Sequence, residues 1–503
     1  MVNKEAMTPK EIKLTIYALM TALLLGALDQ TIVTTALPTI VSNFGGASHL
    51  SWVITSYLLA STASTPLYGK IGDLYGRKKI LSIAVIVFVI GSLLCGLASS
   101  MSTLIIARFI QGLGAGGLFP LVLATIADIV PLKDRAKYQG AFGAVFGISS
   151  VIGPLLGGFL TQSLSWRSIF YINLPLGIIA LILIEKNLHA NESKTKHLID
   201  YLGSFLIALF TTTLLLVTVW GGKEHKWDSM VIISLAITSL LSLLLFILQE
   251  SRHQEPIIPL GIFKVKGIPQ LTLISFLTGL TLFGSLVYIT IYLQVVLGFS
   301  PTLSGTALIP LSLGMFPSSL FAGKFISKTG RYKVLPVGGA IVIYSILYLM
   351  GHIKMDTPYY QVALLLFTLG LSLGMIIQIP SLVSQNLVAK SEIGVVTSTV
   401  TFSRSIGAAF GTALFGTILN SRLTHYLTLS FPNGTQGKTF DSFAEITKLP
   451  AAQKQVILSA FTSAVDDIFL SALPFALLLL LISLTLPKKN LLIGNEPNID
   501  PSH

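Results

Sequence analysis

GKIGDLYGRKK (Gly69 to Lys79) and GKFISKTGRYK (Gly323 to Lys333) share an opening Gly-Lys, a Gly-Arg seven residues on and a final lysine, 254 residues apart. Each loop follows one apolar run and precedes another, so the chain reads as two related halves. A basic loop repeated at equivalent positions of two halves is what duplication of a membrane carrier leaves behind. The composition agrees: 52% of residues are hydrophobic and 11% charged, with a mean hydropathy of +0.80. A soluble domain carries about 25% charged residues.

Crossing a hydrocarbon core of about 30 Å takes about 20 apolar residues. The first set of spans is predicted at 14–40, 51–68, 80–98, 102–127, 138–160, 168–184, 201–220 and 230–249. The second set is predicted at 269–297, 302–322, 334–351, 358–381, 394–419 and 468–486. The fold class expected is therefore an all-α integral membrane protein with fourteen transmembrane helices. Two six-helix bundles (1–185 and 267–487) flank a linker with two inserted central helices (186–266), and a cytoplasmic tail covers 488–503. Loops on the N-terminal side hold 23 of the 33 Lys and Arg residues, which predicts that both termini are cytoplasmic. The net charge of +12 is thus read as a topology signal rather than as a nucleic-acid footprint.

Ionisable residues at membrane depth are costly and by default functional. Asp29, about 15 residues into the first span, and Arg108, about 6 residues into the fourth, come to similar depths at about 1.5 Å per residue. They are candidates for a pair facing each other in the N-terminal half, with Asp29 loading and releasing a proton and Arg108 as its electrostatic partner; the blander alternative is a static pin between two spans. Asp128 ends the fourth span near Asp73 and Arg77. Arg404, in the thirteenth span, has no acidic residue in any C-terminal span core. It is read as attracting an anionic group, pairing with Asp29 or reaching for water. Tyr57, Gln111, Tyr292, Gln294 and Gln378 are candidates, with Arg404, to line a substrate cavity; each taken singly also fits plain packing. Gly407 and Gly411 read as helix packing. Asn433-Gly434-Thr435 is an incidental sequon in the outer loop 420–466.

Five stretches in order resemble one family. The first loop resembles the signature loop of the major facilitator superfamily, with Gly69, Asp73, Gly76 and Arg77 as its conformational-switch residues. LDQTIVTTALP (Leu28 to Pro38) resembles the first-span motif of its fourteen-span drug:proton antiporter branch. RFIQGLGAGG (Arg108 to Gly117) resembles the superfamily's fourth-span motif, and WRSIFYINLPLG (Trp166 to Gly177) is typical of the branch. GPLLGG, with Gly153, Pro154, Gly157 and Gly158, resembles the antiporter motif.

The resemblance implies a proton-coupled secondary active efflux transporter that exports small amphipathic or lipophilic compounds by alternating access. The proton-coupling set would be Asp29, Arg108 and Asp128, and an interdomain charge network at Asp73 and Arg77 would hold the outward-open state. In the second loop Ser327 stands at the aspartate position, so the switch is expected to be asymmetric. The alternative is a proton-coupled carrier of one metabolite, such as an amino acid, sugar or siderophore. An enzyme is not expected, since the chain has no HExxH, Walker loop or Cys/His cluster. GLGAGG lies inside an apolar span and is not a dinucleotide loop. No metal, cofactor or nucleic-acid partner is expected; the partners are protons, an amphipathic small molecule and the bilayer. A monomer in a bacterial cell membrane completes the expectation.

Overall fold

The computed structural model describes residues 8–44, 50–188, 198, 200–222, 224–430 and 450–488. Among these residues the chain is helical, without a named strand. The first group is α1 (Pro9–Phe44), α2 (Leu50–Tyr75), α3 (Arg77–Gly96), α4 (Met101–Ile129), α5 (Leu132–Ser163), the one-turn α6 (Ser168–Tyr171) and α7 (Asn173–Asn187). Two helices follow, α8 (Tyr201–Trp220) and α9 (Met230–Glu250). The last group is α10 (Ile268–Val295), α11 (Pro301–Thr306), α12 (Ile309–Thr329), α13 (Val334–Met350), α14 (Tyr359–Ile376), α15 (Ile379–Gln385), α16 (Ile393–Ser430) and α17 (Ala451–Thr485).

Twelve helical stretches among the described residues are long and apolar enough to cross a membrane, where the sequence predicts fourteen. Two predicted spans fall outside that set. The helix α13 has only 17 residues, and α2 is diluted by Ser51, Thr55, Ser56, Ser61, Thr62, Ser64 and Thr65 and ends on charge. The predicted outer loop 420–466 is also shorter than expected, because α16 runs on to Ser430 and α17 begins at Ala451. The sequon at 433–435 and the tail beyond residue 488 lie outside the described residues.

Helix ends follow local chemistry. The start of α4 is a reciprocal capping box, in which the Ser100 side chain accepts from the Thr103 amide while the Thr103 hydroxyl accepts from the Ser100 amide. The turn from α2 to α3 passes through Gly76 at φ 90°, and α12 closes at Gly330 at φ 67°. Both glycines sit at the same position of the repeated loop and supply a left-handed backbone that other residues resist.

One apolar core joins α1 to α5 and α7 through Leu19, Leu25, Leu81, Phe88, Leu121 and Phe142. A second joins α10, α12 and α13 to α17 through Leu277, Tyr292, Leu347, Leu373 and Phe469. The helix α9 rests on α8, and Leu240, Leu241, Leu244, Leu245 and Leu248 are exposed on it. Apolar side chains stay outward where the solvent is itself apolar.

Helix α5 joins the groups. Its first half lies on α12, where the Ser319 hydroxyl donates to the Gly140 carbonyl at 3.0 Å, and its second half lies on α1. A Cβ on Gly157 would meet the Thr35 hydroxyl and the Ile32 carbonyl, whereas one on Gly158 would meet nothing within 4 Å. Two neighbouring glycines of the GPLLGG stretch therefore differ in steric need. Gly157→Ala should cost about 1–3 kcal/mol through overpacking. Its detergent-solubilised form should melt lower than wild type, with Gly158→Ala unchanged; equal melting of the two variants would refute this packing account.

Candidate functional site

Asp29 lies midway along α1 and is fully buried, as is Arg108 at 2% exposure. Arg108 Nη1 donates to Asp29 Oδ2 at 2.7 Å and to Gln111 Oε1 at 2.6 Å, and its Nε donates to the Val53 carbonyl at 3.2 Å. Gln111 follows Arg108 by three residues, so both project from one face of α4. Its amide donates to Asp29 Oδ1 at 2.8 Å.

Asn173, the first residue of α7, donates to the same Asp29 oxygen at 2.9 Å and to the Ser92 hydroxyl at 2.9 Å. The Arg108 guanidinium lies 4.1 Å from the centre of the Tyr57 ring. Four helices (α1, α3, α4 and α7) thus converge on one carboxylate. Neither Asn173 nor Ser92 was singled out from sequence. The available signal was an uncharged amide at depth within WRSIFYINLPLG, which composition alone does not separate from an interfacial residue.

Asp128, grouped with Asp29 and Arg108 on the sequence, is placed elsewhere. It lies 20 residues further along α4, about 30 Å away at the helical rise, and accepts from Arg77 Nε at 2.6 Å. The reason is geometric, since α4 runs the full depth of the bundle and its two charges sit at opposite ends. Arg77 Nη2 also contacts Asp73 Oδ1 at 2.5 Å. Asp73 in turn accepts from the Gly394 amide at 3.0 Å and the Val395 amide at 2.8 Å, at the start of α16. Unsatisfied amides and the helix dipole make that end a carboxylate site. Burial pushes the Asp73 carboxyl up to about 6, against the pull of Arg77 and the two amides.

Close contact makes this bridge possible: a Cβ on Gly69 would collide with Ser398 and the Gly394 carbonyl. Further bonds tie the same end together. Arg135 donates to Asn386 at 2.9 Å, Gln139 to Gln385 at 2.7 Å, and Gln385 to the Leu123 carbonyl at 3.3 Å.

The six predicted cavity residues are not gathered in one place. Tyr57 and Gln111 meet at Arg108. Tyr292 and Gln294, in the last turn of α10, bond instead to the Lys354 carbonyl at 2.9 Å and to Ser304 at 2.8 Å. Gln378 lies with Gln139 and Gly140 in a small cleft between α5 and α12. Arg404 stands apart, half-buried, with its guanidinium 4.8 Å from the centre of the Phe119 ring on α4.

The model of the Major Facilitator Superfamily matches residues 19–412. The chain belongs to that superfamily. It is 39% identical over 456 residues to an uncharacterised MFS-type transporter of Mycobacterium tuberculosis, covering 90% of this chain and 66% of the relative. The chain thus spans just under two thirds of that relative's length. It is 33% identical to Multidrug resistance protein 3 of Bacillus subtilis over 97% of this chain and 96% of that one. Among solved structures the proton:xylose symporter XylE superposes with a TM-score of 0.61 at 15% identity, covering 94% of this chain and 96% of that one, a likeness of fold. The chain's twelve candidate spans among the described residues fit a multi-pass membrane protein of that superfamily.

Within this facilitator fold the two deep arginines contrast. Arg108 has a carboxylate, an amide and a carbonyl as acceptors. Arg404 has no ion pair or hydrogen bond from its side chain among the described residues, only the Phe119 ring. An arginine at membrane depth costs at least ~2.5–3.5 kcal/mol. A cation–π contact returns about 0.5–2 kcal/mol, so the ring offsets only part of that cost.

Removing the charge at Asp29 strands Arg108. Asp29→Asn should destabilise the folded chain by about 3–5 kcal/mol, and adding Arg108→Gln should recover much of the loss. Melting of the two variants in detergent checks this; a single mutant as stable as wild type would show that the pair is not energetically coupled.

Proposed function

We propose that this chain is a proton-coupled exporter of small amphipathic or lipophilic compounds, a drug:proton antiporter working by alternating access. The observation that carries the reading is the isolated, fully buried Asp29 carboxylate with Arg108 as counter-ion. Its two oxygens accept from the Arg108 guanidinium and from the Gln111 and Asn173 amides. On taking a proton it surrenders the strongest of these bonds, which changes the energy of keeping α1, α4 and α7 together. The similarity to Multidrug resistance protein 3 of Bacillus subtilis supports export of drug-like molecules.

The charge bridge of Asp73, Arg77 and Asp128 with the start of α16 is the gate in this reading. It closes the end on which most lysines and arginines lie, which we take as cytoplasmic, with both termini there and fourteen spans in a cell membrane. Residues 1–185 and 267–487 act as the two rocking bundles around the inserted pair in 186–266. The working unit is the monomer. Entry of a proton down a membrane potential supplies ~2.3 kcal/mol per 100 mV, enough for a modest gradient of substrate per proton.

The test is proton flux in everted vesicles energised by respiration, followed with a pH-sensitive dye against cationic, neutral and anionic amphiphiles. Wild type should show substrate-triggered collapse of the pH gradient, and Asp29→Asn should show none. A response unchanged in Asp29→Asn would remove Asp29 from the coupling step. Separately, Asp73→Ala removes the acceptor for the Gly394 and Val395 amides. It should raise the labelling rate of a cysteine placed at Ala127 by a membrane-impermeant maleimide from the basic end about tenfold or more; equal labelling with and without Asp73 would rule the bridge out as a gate.

A further inference from the structure

Arg404 is the one deep cation for which the described fold supplies no anion. It lies about 15 Å along α16 from Gly394, where α16 meets the Asp73 bridge, and Phe119 lies about 13 Å along α4 from Asp128. The guanidinium and the ring therefore meet from two different helix groups, between the charge bridge and the Asp29 network. No nearby acid is free to serve it. Asp29 is fully buried, with Oδ2 held by Arg108 and Oδ1 by Gln111 and Asn173, and Asp128 is held by Arg77.

The chemistry left open is specific. A guanidinium offers five donors in a planar fork that matches a carboxylate with two parallel bonds, and all five are unused by side-chain or backbone acceptors here. The Phe119 ring, over which the guanidinium lies, is itself only half-buried and is the apolar surface next to those donors. Cation and ring belong to opposite groups, so a ligand holding both would register the approach of α4 to α16.

We propose that Arg404 and Phe119 form an anion-recognising subsite that takes an aromatic carboxylate, the carboxylate on the guanidinium and the ring system against Phe119. This names a substrate class for the exporter and rests on the transport reading above. A cationic amphiphile has no partner at this point and meets a like charge.

The test is equilibrium binding of radiolabelled 1-naphthylacetate and 1-naphthylmethylammonium, one ring system with opposite charges, to the full chain purified in detergent. Wild type should prefer the carboxylate by about tenfold or more, a difference of ~1.4 kcal/mol. The preference should vanish in Arg404→Gln and survive in part in Arg404→Lys, which keeps the charge and loses the fork. Phe119→Leu, which keeps the cation, should weaken 1-naphthylacetate binding several-fold and serves if Arg404→Gln fails to fold. Equal binding of the two probes by wild type overturns the proposal, as does an unchanged preference in Arg404→Gln or unchanged affinity in Phe119→Leu. Transport of a neutral amphiphile in vesicles is scored separately. Carboxylate binding without any transport would sink the exporter reading and leave the subsite standing; neutral transport without carboxylate preference would do the reverse.

Discussion

Asp29 and Arg108 are held 2.7 Å apart with almost no exposed surface on either. Hydrocarbon makes an unpaired charge expensive, so each group of that pair is tolerable only in the presence of the other. The consequence reaches well past two side chains. Gln111, Asn173 and Ser92 complete the shell, so α1, α3, α4 and α7 take positions that let five polar groups meet. The small residues of the fourth helix allow that approach: Gly112 lies on the Tyr57 backbone and Gly114 on the Phe88 backbone, where any Cβ would collide.

The repeated loop shows how one sequence pattern serves two ends differently. In the first copy, Asp73 reaches across to the other helix group at the start of α16, while Arg77 bonds Asp73 and, within its own group, Asp128. In the second copy Ser327 stands at the aspartate position, and Tyr332 and Lys333 bond within their own group. Tyr332 donates to the Pro487 carbonyl at 2.6 Å and Lys333 to the Leu486 carbonyl at 2.8 Å, which ties down the end of α17. The shared glycines, Gly76 and Gly330, both take a positive φ. The two loops thus share a positive-φ glycine while the partners of their side chains differ.

Charge at depth separates the two helix groups in a similar way. The N-terminal group contains its own counter-ion for Arg108, whereas Arg404 of the C-terminal group meets only the Phe119 ring of the N-terminal group and no acid among the described residues. Acidic residues of the last helix do not help, because Asp467 accepts from Tyr426 at 2.9 Å and faces Arg422 at 3.4 Å near the opposite end from the charge bridge.

Sequence alone determined the class of protein, the helical runs, the repeat and the ionisable residues that had to matter. These follow from local properties: apolar runs of span length, the cost of charge in hydrocarbon and the turn chemistry of glycine. It did not decide which polar groups meet. Asn173 joins Asp29 from 144 positions away, and Asp128 leaves Arg108 for Arg77 because a single helix carries its two charges some 30 Å apart. Tyr292, Gln294 and Gln378, grouped by type on the sequence, separate in space because depth and facing are set by the packing of neighbouring helices. Hydropathy and spacing specify what must be buried, while only the tertiary arrangement specifies against what.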